Sequence, residues 1–388
     1  MTNVQPAAVD IPKASAINPA LWSDRLMVIR DRLLSSAQFR RWAVAFPLTR
    51  PIARRRTRAL FDLCGGFVYS QILFACVQLK LFDILAEGQQ TAAALATKLP
   101  LPPDSVQRLL AAAVSLRLID RRSGGRFALG ALGAAMVDNA PVAAMVRHHA
   151  ILYRDLADPV ALLRGEPTET ELSRYWAYAR SPSRARLSGD QIAEYTNLMA
   201  SSQSMVAEDI LQAYPLLHHR RLLDVGGGDG AFLATAAAHA PGLDLILFDL
   251  PPVVERAKAR FAAMGMANRL SAVGGDFLMA PLPRSADVVT LVRVLHDHDD
   301  AAAISLLRAI RRVLPVGGTL LVAEPMSGTR GAEPAGDAYF GFYLLAMRSG
   351  RPRTADEIIA LLQGAGFRSA RLASTRNPIL VRLIVAHP

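Results

Sequence analysis

Cysteine is scarce in this chain of 388 residues: only Cys64 and Cys76 occur, both in apolar surroundings. Two thiols exclude a disulfide framework and a cysteine metal cluster, and both are expected as buried core thiols. The start has no basic-then-apolar leader; it is polar and carries Pro6, Pro12 and Pro19, which predicts a disordered tail over the first twenty residues and a cytoplasmic protein. No run of about 18 uninterrupted apolar residues is found, so no membrane-spanning helix is expected. What is abundant is hydrophobic residues at 52%, many of them alanine and leucine in helical patterns, together with a net charge of +11. The length argues for two or more domains with ample material for a core.

The most informative stretch is Leu222-Leu223-Asp224-Val225-Gly226-Gly227-Gly228-Asp229-Gly230-Ala231. An apolar run ends in an acid, then come four glycines in five positions, then an alanine-rich helical pattern. Glycine tolerates positive φ and lets a ligand approach the main chain. A strand, a glycine-rich turn and a helix in that order form a nucleotide site of a doubly wound sheet. Gly226-x-Gly228-x-x-Ala231 also fits the dinucleotide fingerprint. The full Asp-x-Gly-x-Gly-x-Gly run resembles the S-adenosyl-L-methionine (SAM) loop of class I methyltransferases. A bare tight turn rarely needs so many glycines.

Beyond this loop, strand and helix alternate. Strands are predicted at 221–225, 244–249, 270–274, 286–291, 319–324 and near 379–385, with helices at 229–239, 252–264, 300–314 and 354–364. This implies an α/β, Rossmann-like, mostly parallel sheet covered on both faces, with ligands at the carboxyl ends of its strands. The candidate polar groups fall at those ends. Asp224, Gly226, Gly228 and Gly230 close the first strand, and Asp249 with Leu250 closes the second. Asp276 and Phe277 follow the third, where a carboxylate and a ring suit an adenine. Arg293, His296 and Asp297 follow the fourth, and Glu324 ends the fifth. His298, His387 and the pair His218-His219 are expected to be structural. His296 stands apart because it lies beside the cofactor edge with acidic neighbours. A neutral imidazole there can take a hydroxyl proton while Glu324 orients it and stabilises the imidazolium.

The amino-terminal half reads differently. Residues 1–59 form a basic arm in which Arg25, Arg30, Arg40 and Arg41 alternate with Leu26, Leu33, Trp42 and Phe46. This pattern suits peripheral contact with an anionic membrane surface, or an arm packed on its own protein or a partner subunit. Nucleic acid is the weaker reading of Arg54-Arg55-Arg56, since no base-stacking pattern follows. Residues 60–140 read as helices, a Pro102-Pro103-Asp104 break, the helix Ser105 to Leu116 and a hairpin around Ser123-Gly124-Gly125, a winged-helix order. The second helix offers Arg108 and few other groups for base edges, so a subunit interface is expected there rather than DNA. Residues 141–214 are helical, with Tyr153, Tyr175, Trp176, Tyr178 and Tyr195 as core or pocket aromatics. Residues 215–388 form the catalytic domain.

Asp224-Val-Gly-Gly-Gly-Asp-Gly, Phe248-Asp249-Leu250-Pro251, Gly275-Asp276-Phe277, Arg293-Val-Leu-His296-Asp297 and Glu324 together resemble the plant-type O-methyltransferases in order and spacing. The resemblance spans roughly residues 60–388. It implies SAM as cofactor, His296 as general base with Glu324 as partner, SAM contacts from Asp249, Asp276 and Phe277, and a homodimer built on the winged-helix domain. Ala45 to Arg56, Phe61 to Gln71 and Ser201-Ser202-Gln203-Ser204 are similar to a narrower group, the carotenoid O-methyltransferases of purple phototrophic bacteria. That similarity implies a 1-hydroxy carotenoid as acceptor. Tyr153, Met199, Tyr339, Tyr343 and Met347 are the candidate acceptor contacts.

Three positions depart from the family pattern. His298 replaces the tryptophan of a His-Asp-Trp run, Pro352 stands where a second acidic partner of the base is usual, and Met347 where an asparagine often binds substrate. With Leu344 and Leu345, Met347 predicts an apolar wall. Methyltransferases of bacteriochlorophyll synthesis or polyketide tailoring are alternative readings. So is a ligand-sensing winged-helix regulator, against which the intact His296 and Glu324 argue. A nicotinamide-dependent oxidoreductase is disfavoured because no Tyr-x-x-x-Lys pair follows the fourth strand.

Overall fold

The computed structural model describes residues 19–176, 203 and 205–388, with side chains from residue 24 onward. The chain divides into two compact units, residues 1–73 and 74–388. Tyr178, Tyr195 and Met199 lie outside the described residues.

In the first unit, helices Pro19–Ser35 and Ala37–Ala45 precede the helix Arg50–Gln78, which begins here. Ser36 caps the second helix by accepting a hydrogen bond from the Phe39 amide. The helical pattern that opens the segment read as residues 60–140 is two helices. The first starts earlier, at Arg50. It is separated from Leu81–Ala86 by Lys80, whose φ of 53° is left-handed. Both cysteines lie on the longer helix, but only Cys76 is buried; Cys64 is exposed, contrary to the sequence reading. Twelve residues at about 100° each place the two thiols about 120° apart around the axis, so both cannot share one buried face. The expectation of no spanning helix also needs correction. At 29 residues, Arg50–Gln78 is long and apolar enough to cross a membrane by length and composition alone. From Ala59 onward its apolar residues are interrupted by glycine, serine and glutamine more than by charge, so no long unbroken run marks it.

The second unit, which begins at residue 74 and so includes the helix Leu81–Ala86, continues with a three-stranded sheet of β1 (Gln90–Thr91), β2 (Ile119–Arg122) and β3 (Arg126–Leu129) in the order β1-β3-β2. Helices Ala92–Lys98 and Pro103–Ser115 lie between β1 and β2. Thr91 caps the first of these through the Ala94 amide, and Leu95, Val106, Leu110 and Ala113 are buried. This is the helix–turn–helix and hairpin order read from the sequence. Helices Ala140–Asp155, Pro159–Leu163 and Glu171–Tyr175 follow.

The large sheet holds seven strands: β4 (Arg221–Val225), β5 (Asp244–Asp249), β6 (Leu270–Gly274), β7 (Val288–Val292), β8 (Thr319–Glu324), β9 (Ser369–Ala373) and β10 (Arg382–His387). Their order is β6-β5-β4-β7-β8-β10-β9, parallel except for β10, which runs antiparallel to both neighbours. Alternate residues serve opposite faces. Leu223, Phe248, Leu291 and Val322 pack with Leu306, Ile310, Ile358 and Leu362 on one face. Leu222, Leu247, Val288 and Leu321 pack with Phe232, Val254 and Phe261 on the other. Every residue of β7 and β8 is buried, as a two-sided parallel sheet requires.

The strand reading shifts at three places. β7 begins two residues later than expected, and β10 lies further along than 379–385. β9 was not anticipated; its Ser-Ala-Arg-Leu-Ala is an edge strand with little buried apolar surface to announce it. The helical segment Pro334–Met347 was also unassigned. It starts with wide π-type turns over Pro334–Phe340 and tightens into an α-helix over Gly341–Met347.

Candidate active site

Because β4, β5, β7 and β8 are parallel, their carboxyl ends line up on one edge. Gly226, Gly228 and Gly230 all take positive φ, at 71°, 61° and 81°. At Gly226 a Cβ would stand 2.8 Å from Val294 Cγ2, so only glycine fits. At Gly228 a Cβ would meet nothing within 4 Å, which leaves the loop open on that side. Asp224 and Thr290 are register partners on β4 and β7, and the Thr290 hydroxyl donates to Asp224 Oδ1 at 2.6 Å. Asp224 Oδ2 is buried and makes no hydrogen bond. Burial pushes this carboxyl up to about 7, against the bond from Thr290.

Asp249 accepts the Gly228 amide at 2.8 Å and the Leu250 amide at 2.7 Å. Burial nevertheless raises it to about 6. Gly275 donates its amide to the Asp249 carbonyl at 2.9 Å, which brings Asp276 and Phe277 to the same edge. Asp276 accepts the Leu278 amide. His298, where a tryptophan was expected by family pattern, places its ring edge-on to Phe277 with centroids 5.2 Å apart. An open glycine cradle, an unsatisfied buried carboxylate oxygen and a facing acid–aromatic pair fit a cationic nucleoside ligand with hydrogen-bond donors.

Arg293 turns the chain out of β7 with a φ of 57°, its amide bonded to the Ala323 carbonyl of β8. The turn Leu295–Asp297 follows and presents His296, which is 7% exposed. Asp297 Oδ1 lies 3.1 Å from His296 Nε2. Glu324 is fully enclosed at the end of β8. Its Oε1 accepts the His296 main-chain amide at 3.0 Å, and its Oε2 stands 3.9 Å from Nδ1, which makes no hydrogen bond. The orienting contact from Glu324 is thus to the backbone of the turn, and the nearer acid on the ring is Asp297. Burial pulls the imidazole down, but Asp297 and then Glu324 outweigh it, and the net shift is upward.

Beside His296 stands the Phe340 ring, with centroids 5.9 Å apart. Tyr339 and Tyr343 flank it on the same helical segment. Tyr343, Leu344 and Met347 pack with Leu152, Trp176 and Leu250, so the second-strand end touches the expected acceptor wall. Tyr153 lies within this region, ring-to-ring with His149. Three neighbours were missed from the sequence: His148, bonded to Tyr343 at 2.7 Å, His149, bonded to Tyr339 at 2.8 Å, and Phe340. The adjacent aromatics in helical register were the available signal; the helix Ala140–Asp155 is not contiguous with them in sequence.

A doubly wound sheet with this loop defines a nucleotide-binding α/β fold, and it carries a buried imidazole between two acids at its strand ends. Residues 153–368 match the O-methyltransferase domain family, and residues 61–145 match the O-methyltransferase dimerisation domain. The chain belongs to the O-methyltransferase family, and the second match assigns it the family's homodimerisation domain, which takes in the apolar helix Arg50–Gln78 from residue 61 onward. It is 45% identical to demethylspheroidene O-methyltransferase of Cereibacter sphaeroides over 92% of this chain and 93% of that protein. With the protein of the same name from Rhodobacter capsulatus it shares 40% identity over 99% and 94%. Among solved structures, human N-acetylserotonin methyltransferase in complex with SAM is 26% identical, with a TM-score of 0.71 over 86% of this chain and 97% of that one.

Gly228→Val should abolish SAM binding in isothermal calorimetry while the protein still folds. The open side of Gly228 would be filled, and a β-branched residue at positive φ adds about 1–2 kcal/mol of strain. A folded variant with unchanged SAM affinity would remove this loop from the cofactor site.

Proposed function

We propose that this protein transfers a methyl group from SAM to a hydroxyl of an apolar acceptor, the 1-hydroxy group of an acyclic carotenoid. The observation that carries the reading is the imidazole of His296 held between two acids at the glycine-loop edge. Two relatives named demethylspheroidene O-methyltransferase, aligned over nearly the whole chain, support the acceptor class.

SAM, when bound, supplies an electrophilic methyl group on a cationic sulfonium. Asp224 and the Gly226–Gly230 loop would hold its amino acid end, Asp249 its ribose, and Asp276 with Phe277 its adenine. Leu250 and Arg293 close the cofactor edge. His296 takes the acceptor's hydroxyl proton as the methyl transfers. Asp297 at Nε2 and Glu324 facing Nδ1 leave an acid beside the ring whichever nitrogen takes the proton, and both favour the imidazolium. A tertiary alcohol is a poor nucleophile, so placement of the base and exclusion of water carry much of the rate. Tyr153, Tyr339, Tyr343 and Met347 form the acceptor wall, and Met199 belongs to the same proposal.

Incubating the enzyme with tritiated-methyl SAM and carotenoid precursors should label a 1-methoxy carotenoid. Label appearing only in a bacteriochlorophyll precursor or a phenolic product would overturn the acceptor assignment. His296→Ala should lower kcat by about two to four orders of magnitude with SAM affinity unchanged. Glu324→Gln should cost less, since the amide oxygen can still accept the His296 main-chain N–H. The base must be neutral, so the rate should fall with decreasing pH. Because the shift is upward, that fall should begin above the ordinary imidazole value of about 6.5. A flat profile, or normal turnover by His296→Ala, would refute the base.

The protein works on the cytoplasmic membrane face, docked through its basic arm. Leu26, Ile29, Leu33 and Trp42 are exposed on the first two helices, and Trp42 stacks on Phe46 at 5.1 Å. Arg25, Arg40 and Arg41 are exposed among them. These residues precede residue 61, where the dimerisation match begins, so that match does not account for their exposure. Each basic side chain near an anionic surface contributes about 1 kcal/mol. The protein should co-sediment with phosphatidylglycerol vesicles at low salt and release at high salt. Failure to bind them at any salt would leave the arm to a partner subunit.

A further inference from the structure

The main chain that carries His296 is held from one side by a single short segment, Ser349 to Arg353. Four consecutive carbonyls of the turn each accept a hydrogen bond from it. Leu295 O accepts from Arg353 Nη1 at 2.9 Å, and His296 O from the Arg351 amide at 3.0 Å. Asp297 O accepts from Ser349 Oγ at 2.6 Å, and His298 O from Arg353 Nη2 at 2.7 Å. Gly350 makes the approach feasible: with φ of 72°, its missing Cβ would lie 1.9 Å from His296 O. Any side chain there would push the two strands of backbone apart.

Arg353 is the centre of this arrangement. It is 1% exposed and is the largest fully buried side chain among the described residues. A guanidinium is a rigid planar fork, so two of its arms can bridge Leu295 O and His298 O, three residues apart, at a fixed spacing. Its remaining edge is met by Asp300 Oδ1, at 2.9 Å from Nε and 2.7 Å from Nη2. Asp300 Oδ2 also accepts from Arg351 Nη2 at 3.1 Å, which ties the segment's two arginines to one half-exposed carboxylate. Arg353 O in turn accepts the Ser327 amide just past β8, so the segment is anchored to the strand end that carries Glu324.

We propose that Arg353, braced by Asp300, is a positioning residue for the reaction: it fixes the turn so that the His296 ring sits between Asp297 and Glu324. The inference rests on His296 being the base. It gives Pro352 a meaning. At the place where the family pattern has a second acid on the ring, this chain instead holds the base through its backbone, using the residues on either side of Pro352. A ring displaced by about 1 Å can cost about 100-fold in rate, although no contact to the substrate is lost.

The test measures kcat, KM for both substrates and SAM affinity for Arg353→Met, Arg353→Lys and Asp300→Asn, in the native protein and in a His296→Ala background. Arg353→Met should lower kcat about 100-fold with SAM affinity unchanged. Arg353→Lys should fail to restore it, because an ammonium cannot bridge both carbonyls. Asp300→Asn leaves the buried arginine in place and remains informative if Arg353→Met does not fold; it should lower kcat about tenfold. In the His296→Ala background none of these changes should cost further rate, since residues acting through one group are non-additive. Full rescue by lysine would mean that charge alone matters. An unaltered kcat in Asp300→Asn, or an equal loss with His296 absent, would make the clamp merely structural. Silence of His296→Ala itself would instead remove the base assignment, and the two failures are therefore distinct.

Discussion

Parallel strands all end on the same side, and this constraint organises the protein. β5, β4, β7 and β8 each contribute one exit loop to a common edge, and each exit carries a polar group. The groups come from residues 224 to 324, yet the ladder brings them together without any dedicated connection. Asp224 and Thr290 show how tightly this works. They are register partners, so the side-chain bond between them follows from the strand pairing itself. The antiparallel β10 extends the hydrophobic layer and keeps β8 from being an edge, which lets Glu324 be fully enclosed.

The edge is electrostatically costly when nothing positive is near it. Asp224, Asp249 and Glu324 are all shifted upward, each chiefly by burial. A buried carboxylate of this kind favours the fold when protonated. Its contribution is present below about pH 4 and, for Asp224, is lost as pH rises through about 7. Positive charge opposes that sense. His296 and, less, Arg353 pull the Glu324 carboxyl down, although burial still leaves it raised. On the proposed reading, a cationic cofactor does the same for the pair at the glycine loop. The acids therefore sit in a site that is unfavourable alone and complementary to positive charge that develops or binds there.

How much of this was legible depended on whether the signal was local. The glycine loop, Asp249 and His296 follow runs of apolar residues with strand length, and a strand end is marked by where such a run stops. Thr91 and Thr354 cap their helices from within the first turn, a local signal, and Thr354 with Glu357 forms the full capping box. The misses were non-local. Cys64 looked buried because its neighbours are apolar, but a helix apolar on several faces does not reveal which face is covered. β9 has too little apolar content to show an alternating pattern. His148 and His149 lie about 190 residues from the tyrosines they bond, and only the folded chain pairs them. Pro352 was legible as a departure, but not its consequence, because the groups by which the His296 turn is held are its own main-chain carbonyls. A carbonyl is present at every residue and leaves no trace in side-chain pattern.

On the proposed reading, the same pairing lets a wall bearing tyrosines serve an apolar acceptor. Trp176 Nε1 can only donate, so the Tyr343 oxygen accepts it at 2.7 Å, and the Tyr343 proton is left for His148 Nε2. Burial drives His148 down to about 4, so its neutral Nε2 can accept that proton, and burial lowers His149 as well. Tyr339 has His149 at 2.8 Å and Met145 Sδ at 3.7 Å as partners. The Tyr339 and Tyr343 hydroxyls are thereby satisfied within the protein. A polar acceptor would have to break those bonds to gain its own, with a net return near zero. A hydrocarbon chain breaks none of them and covers ring faces instead. On the proposed reading, affinity comes from the apolar body of the acceptor, and the hydroxyl is recognised only where it meets His296.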